Sequence, residues 1–328
     1  MESLMDTLRT TYKLTGLPVY QSKYCVNTSS LGYDCDACVR LCPEGIFAEG
    51  KKTKKTDFSK CTKCGICVAV CPAKAISPVD TEVRSFVRAL AKDNEISAGC
   101  IREEAGWSVS YDCLAALSWE QIACAALKNG IVISMRTCAD CEERACASQI
   151  IENLTKAKNF LGDDLFFDKV RILEKNDVYE ASGNAISRRE LFTFFKRIPL
   201  DSAGELLPEK NPTDRTELFY RALLRDLVQQ KYAETQKEER TRYRITLPRI
   251  QDSCNGCGIC ARMCQEKALA IQIGADGTRL VTIEPWKCTA CRKCTKTCTR
   301  KAIDGMGQMQ VTHLGAVLMK RVKKETTV

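Results

Sequence analysis

Between residues 61 and 72 the chain reads Cys61-Thr62-Lys63-Cys64-Gly65-Ile66-Cys67-Val68-Ala69-Val70-Cys71-Pro72, a C-x2-C-x2-C-x3-C-P run. No other stretch constrains the fold as strongly. Three thiolates at this spacing can wrap one side of a [4Fe-4S] cube. The tetrahedral fourth arrives best from a remote segment. In runs of this form the fourth cysteine serves the second cluster of a pair. The run therefore demands a partner elsewhere in the chain.

The partner lies upstream, as Cys25 followed by Cys35-x2-Cys38-x3-Cys42-Pro43, with the first gap stretched to nine residues. Asn27 to Ser30 and Gly32 in that gap are loop formers, and residues 49–57 are expected to turn the chain back before Cys61. Crossed ligation gives two sites. One takes Cys25, Cys35, Cys38 and Cys71; the other takes Cys61, Cys64, Cys67 and Cys42. Over about residues 20–80 the segment resembles the two-cluster bacterial ferredoxin domain. The resemblance implies a small pseudo-symmetric α+β unit with its clusters within electron-tunnelling reach. The long first gap is the departure, and it leaves Cys25 the ligand least fixed by spacing. The competing reading is zinc held by C-x2-C pairs. It leaves the spacing of eight cysteines and two Cys-Pro endings without a reason.

The arrangement returns as Cys254-x2-Cys257-x2-Cys260-x3-Cys264 and Cys288-x2-Cys291-x2-Cys294-x3-Cys298. Between the runs, Leu269 to Ile273, the turn Ala275-Asp276-Gly277-Thr278 and Leu280 to Ile283 read as a hairpin. Crossed ligation groups Cys254, Cys257 and Cys260 with Cys298, and Cys288, Cys291 and Cys294 with Cys264. Gln265 and Thr299 stand where proline would fix the backbone. That puts local rigidity in question more than ligation.

The middle of the chain has a different pattern. Val83, Phe86, Val87 and Leu90 have helical spacing. Glu95–Cys100 and Trp107–Cys113 read as strands ending in cysteine. Ser118 and Gln121 form a capping box before a helix with Trp119, Ile122, Ala123, Ala126 and Leu127 on one face. Gly130 stands at its C-terminal cap. Ile131–Met135 is a buried strand leading to Cys138 and Cys141, and a further helix stops at Gly162. The order predicts a small α/β unit with a parallel sheet. Ligands gather at the carboxyl ends of such strands, where Cys100, Cys113, Cys138 and Cys141 fall. Over about residues 95–165 the pattern resembles the delta subunit family of methyl-viologen-reducing hydrogenase. The resemblance implies a [2Fe-2S] cluster on these four cysteines. It also implies a flavin-containing, heterodisulfide-reductase-type or hydrogenase-type partner. From the residues alone, buried free thiols, zinc or a redox dithiol remain open. Cys124 lies within the helix and reads as a small buried hydrophobe; Cys146 stands near enough to substitute as a ligand.

Twenty-two cysteines in 328 residues would suggest disulfides in a short secreted chain. Here the first residues lack an apolar signal stretch and no run of about 18 apolar residues occurs. The expectation is a cytoplasmic protein with thiolate-bound metal and no membrane span. The formal charge of +9 counts neutral thiols, and each cluster with four thiolates adds about −2, so four clusters bring the net to about +1. Nucleic acid is not an expected partner, because the basic runs at 51–55 and 320–324 lack interleaved aromatics. The single histidine, His313, argues against Rieske centres and Cys2His2 zinc. No G-x-G-x-x-G, P-loop or C-x3-C-x2-C triplet occurs.

Residues 1–24 read as an amphipathic lead-in. Residues 163–250 hold no cysteine, and read as helical segments around a proline-containing loop at 199–213. They include capping boxes at Ser187 and Asp214 and the apolar Phe192–Phe195 stretch. The expected architecture is α+β. It has a dicluster unit at 1–94, a central α/β unit at 95–165, a mostly helical bridge at 166–250, and a second dicluster unit with a tail at 251–328. The expected function is single-electron relay by a subunit of an anaerobic oxidoreductase, with four [4Fe-4S] clusters and a fifth, [2Fe-2S], cluster. The alternative is a reductase with its own substrate or flavin site in the central region.

Overall fold

The computed structural model describes residues 17–28, 35–48, 55–77, 80–92, 94–103, 106–141, 144–177, 216–234, 243–311 and 317–322. Most of the lead-in, the Lys51–Lys54 run, the capping residues Ser187 and Asp214, Phe192–Phe195, the 199–213 loop, His313 and the Cys146 side chain lie outside the described residues.

In the N-terminal unit the strands are two residues long. β1 (Val19–Tyr20), β2 (Phe47–Ala48), β3 (Lys55–Thr56) and β4 (Ile76–Ser77) form two antiparallel ladders, β1 on β4 and β2 on β3. Helices α1 (Ala37–Arg40) and α2 (Ile66–Val70) carry the cysteine runs between them. Val26, Ile46, Phe47, Val68 and Ile76 form a small core with Cys25, Cys38, Cys67 and Cys71. Tyr20 and Phe58 meet the Phe47 ring edge-on at 6.2 and 6.0 Å.

Helix α3 (Asp80–Ala91) leaves this unit and buries Phe86 and Leu90 in the next core. There β5 (Ile96–Cys100), β6 (Val109–Tyr111), β7 (Ile131–Ser134) and β8 (Val170–Leu173) make a fully parallel sheet in the order β6-β5-β7-β8. Helix α4 (Trp119–Lys128) begins at the Ser118–Gln121 capping box, closed by bonds of 2.9 and 3.3 Å. Gly130 follows it with φ of 100° and donates to the Ala125 carbonyl. Helix α5 (Arg144–Leu161) stops at Gly162, and α6 (Asp163–Lys169) leads into β8.

Helix α7 (Thr216–Glu234) lies on α4. The C-terminal unit then pairs β9 (Tyr243–Ile250) with β12 (Ile303–Val311), and arranges β10 (Leu269–Ile273), β11 (Arg279–Ile283) and β13 (Val317–Val322) in the order β10-β11-β13. Its short helices are α8 (Ile259–Met263) and α9 (Lys293–Thr297).

Two unit boundaries differ from those expected. The central sheet takes its fourth strand at residues 170–173, beyond residue 165. The bridge is not a separate unit among its described residues. Helix α6 and β8 complete the sheet, α7 covers α4, and β9 joins the C-terminal unit. The physical reason lies in α4, whose Ile122 to Leu127 are buried on every side rather than on one face. A helix apolar all round needs cover on both flanks, and α7 supplies the second. Residues 317–322 pair with β11. They form a strand, and its Lys320 ammonium meets the Asp252 carboxylate.

One continuous core runs from Val83 through the central sheet and α7 to Val311. At its centre Phe160 of α5 stacks on Tyr243 of β9 at 5.1 Å and meets Trp119 and Trp286 at 5.6 and 6.2 Å. The central and C-terminal units therefore share one packed interior.

Candidate metal centres

The three full cysteine runs share one backbone plan. Two residues in each have positive φ at the same steps: Lys63 and Gly65 at 60° and 74°, Gly256 and Gly258 at 65° and 78°, Ala290 and Arg292 at 56° and 62°. A short helix follows each pair. Left-handed backbone at non-glycine residues costs about 1–3 kcal/mol each and persists only where surroundings enforce it. Its repetition at equivalent steps marks a common loop built around the cysteines.

The turn after each fourth cysteine is also shared. Gly45, Lys74, Lys267 and Lys301 have φ of 60°, 52°, 49° and 53°. Their amides donate to the carbonyls of Cys42, Cys71, Cys264 and Cys298 at 3.3, 3.1, 3.1 and 2.9 Å. The next amides, of Ile46, Ala75, Ala268 and Ala302, donate to the cysteine sulfurs at 3.4, 3.2, 3.3 and 3.2 Å. This turn is the same after Pro43 and Pro72 as after Gln265 and Thr299. Hydrogen bonds set it, so the missing prolines do not loosen it.

The cysteines gather in crossed groups. Cys61, Cys64, Cys67 and Cys42 line one cavity, here called site II. Cys254, Cys257, Cys260 and Cys298 line site III, and Cys288, Cys291, Cys294 and Cys264 line site IV. Each cavity draws three thiols from one run and the fourth from the other. In site I, Cys25, Cys38 and Cys71 are buried in one cluster with Cys35 packed against it. The ends of the nine-residue gap meet there: Asn27 donates to the Cys35 carbonyl at 2.9 Å and accepts from its amide at 2.8 Å. Cys25 is thereby returned to its run despite the long gap.

In the central unit, Cys100 ends β5, Cys113 follows β6, and Cys138 and Cys141 follow β7. All four stand at the carboxyl ends of parallel strands; this group is site V. The Cys100 thiol faces the Asp112 carbonyl at 3.4 Å, and Arg102 Nη1 donates to Cys141 Sγ at 3.3 Å. Glu103 accepts from Ser134 and Thr137 beside them at 2.7 and 3.3 Å. Cys124 is apart from this group, fully buried in α4 with its thiol toward the Tyr220 carbonyl.

The electrostatics fit bound anionic clusters. Burial, then repulsion from neighbouring thiolates, pushes the Cys138 thiol up to about 11. Burial likewise raises Cys260 and Cys288 to about 11, and Cys67 and Cys294 well above the usual thiol range. These raised thiols are neutral at pH 7, and metal must displace their protons. Lys74, Arg221 and Lys293 are each only 7% exposed, yet Glu120 is the one buried carboxylate among the described residues. Buried charge is costly, and clusters of about −2 each would bring negative charge toward these cations. Among the described residues, no three His, Cys, Asp or Glu side chains gather as for a single metal ion. A mononuclear zinc would need its sulfurs about 2.3 Å from one point.

Sequence reasoning missed Lys74, Glu120 and Arg221. Lys74 Nζ and Arg221 Nε lie 3.7 and 3.6 Å from Glu120 Oε1, and Arg221 donates to the carbonyls of Cys288 and Pro285. The three come from three distant segments and have no spacing signal in common. With Cys71, Trp119, Cys291 and Arg292 they line a cavity of about 380 Å³.

Comparison with known proteins agrees with the cysteine geometry. Residues 54–77 match the 4Fe-4S binding domain and residues 253–302 match the 4Fe-4S dicluster domain. The PorD subunit of pyruvate synthase from Methanothermobacter marburgensis is 46% identical over 43 residues, 13% of this chain and 49% of that protein. A subunit of the ion-translocating oxidoreductase complex from Methanosarcina acetivorans is 45% identical over 42 residues, 13% of this chain and 16% of that protein. The chain therefore spans half or less of the length of these two relatives. An uncharacterized ferredoxin of Methanocaldococcus jannaschii is 41% identical over 46 residues, 14% of this chain and 74% of that protein. No solved structure matches the chain. Among the described residues, no helix is long and apolar enough to cross a membrane. With two matched cluster-binding segments and a ferredoxin relative covered over most of its length, the chain belongs to the ferredoxin family and is an iron–sulfur electron-transfer protein.

Proposed function

We propose that this chain is the electron-relay subunit of a larger oxidoreductase, with [4Fe-4S] clusters at sites I to IV and a [2Fe-2S] cluster at site V. The observation that carries the reading is the crossed grouping of cysteines, three from one run and one from the other. Four thiolates per cube leave no open iron position, so such a centre takes up and releases single electrons. The residues of the chain supply what tunes that exchange: burial, amide bonds to the fourth sulfur, and buried cations. Two relatives are themselves named as subunits, of a pyruvate synthase and of an ion-translocating oxidoreductase complex. A flavin- or metal-containing subunit is the fitting partner, of the heterodisulfide-reductase or hydrogenase type that the central unit's resemblance implies.

Anaerobically purified chain is expected to be brown and to hold about 18 iron atoms, against about 16 if site V is empty. Colourless protein with stoichiometric zinc would refute the proposal. The second reading is a reductase with its own small-molecule site. It draws on the 380 Å³ cavity, whose wall carries Cys71 of one site and Cys291 of another. Turnover of a small substrate with a low-potential dye by the isolated chain would favour it. Turnover that returns only with a co-purifying subunit would count against it.

A further inference from the structure

We infer that the five sites form one unbranched path in the order V, II, I, IV, III, with its ends at the Cys138–Cys141 turn and at Cys257. The inference rests on the proposed loading of all five sites. Electron tunnelling falls steeply with distance, so the order of transfer follows which sites are pressed together.

Sites V and II meet through a shared pair of buried residues. Cys113 of site V and Cys64 of site II both pack against Ile66 and Ala115. The closeness depends on a glycine. A Cβ on Gly65 would stand 2.3 Å from the Ala116 Cβ, so only a residue without a side chain lets the Cys64–Cys67 loop seat on the turn after Cys113. Sites II and I share one unit and exchange their fourth cysteines, with Cys67 and Cys38 buried in one cluster.

Sites I and IV belong to different dicluster units, and three observations join them. Cys71 and Cys291 line the same central cavity. Cys291 packs against the N-terminal core that holds Cys25, Cys38, Cys67 and Cys71. Gln265, beside Cys264 of site IV, donates to the Lys23 carbonyl at 2.8 Å, two residues before Cys25 of site I. Sites IV and III complete the second unit, where α8, which carries Cys260, packs on α9, which carries Cys294. The lining of site III comes wholly from residues 250–303.

Exposure differs along the path. Site I, in the middle of the path, has Cys25, Cys38 and Cys71 at 7%, 7% and 9% exposure. At one end Cys257 is exposed; at the other, Cys138 and Cys141 are partly exposed, with Arg102 over Cys141 at the surface. A one-electron donor reaches one end and a one-electron acceptor the other. Each transfer oxidises one site and reduces the next by one electron, with no bond made or broken.

The test is spin relaxation of the reduced, fully loaded chain by pulsed electron paramagnetic resonance. Iron analysis comes first: about 18 iron atoms with a [2Fe-2S] signal establishes the loading on which the order rests. The site V signal should then relax several-fold more slowly in Cys64→Ser/Cys67→Ser, which lacks site II. It should be unchanged in Cys254→Ser/Cys257→Ser, which lacks site III. The site I signal should slow in Cys288→Ser/Cys291→Ser. Because a variant can fail to fold, the wild-type chain is also titrated with reductant. There the site V relaxation rate should step as a [4Fe-4S] neighbour becomes reduced. Full loading with site V indifferent to site II, or with site I indifferent to site IV, overturns the order and leaves the proposed function standing. A chain that takes up no fifth cluster fails the loading and removes the site V end of the path.

Discussion

Glu120 Oε1 lies 3.6 Å from Arg221 Nε in a buried junction where helices α4 and α7 meet both dicluster units. Glu120 is 1% exposed, and Lys74 Nζ approaches the same oxygen at 3.7 Å. Removing one partner from a buried ionic group leaves the others uncompensated, at about 3–5 kcal/mol. Glu120→Ala is therefore expected to destabilise the chain by that much in denaturant unfolding. The loss should be smaller in loaded protein, because clusters at sites I and IV bring negative charge toward both cations. A change under about 1 kcal/mol in the cluster-free chain would contradict this junction.

Gly65→Ala tests the seat between the first dicluster unit and the central unit. The new methyl meets Ala116 at 2.3 Å, and φ of 74° disfavours any Cβ. Overpacking costs about 1–3 kcal/mol and left-handed backbone about 1–2 more. The sum, about 2–5 kcal/mol, should appear as a lower unfolding midpoint. Gly45→Ala is the control, since it has φ of 60° but nothing within 4 Å of its Cβ. Equal losses in the two variants would mean that Ala116 is not in the way.

The cysteine spacing was the most legible part of the chain, because ligation dictates where thiols fall whatever the intervening residues. Cys254 to Cys298 have the same turns as Cys61 to Cys71 although Gln265 and Thr299 replace proline. The strand–cysteine endings of β5 and β7 were legible for a related reason, since buried parallel strands read as short apolar runs. The charged junction was not. Lys74, Glu120 and Arg221 share no spacing signal, and only the fold brings their three distant segments together. The extent of the central sheet was hidden too: in β8 only Val170 and Leu173 are buried, while Arg171 and Ile172 are exposed.

Asn27 closes the nine-residue gap between Cys25 and Cys35. Its amide makes two hydrogen bonds to Cys35, one donated and one accepted. Asn27→Ala removes both, at about 0.5–1.5 kcal/mol each. Cys25 then loses its fixed approach to site I while Cys61, Cys64 and Cys67 are untouched. Iron analysis after mild chelation should show loss from site I first, so that about four iron atoms leave in one kinetic phase. Asn27→Asp keeps the acceptor alone and should lie between. Unaltered retention in Asn27→Ala would show that the loop closes without this clamp.

Arg102 gives site V a handle on its potential. Its Nη1 donates to Cys141 Sγ at 3.3 Å, so in the loaded chain it would place positive charge and a donor against a ligating sulfur. Both favour the reduced, more negative state of a cluster. Arg102→Ala should therefore move the site V midpoint to more negative potential. A hydrogen bond to a charged group is worth about 1.5–3 kcal/mol, and 59 mV is a tenfold change for one electron, so the shift is about 60–130 mV. Arg102→Lys retains the charge without the planar fork and should recover part of it. Sites I to IV should keep their potentials, since the Arg102 guanidinium sits on a site V sulfur. A redox titration with the [2Fe-2S] signal unmoved, or moved positive, would separate Arg102 from the cluster it is assigned to tune.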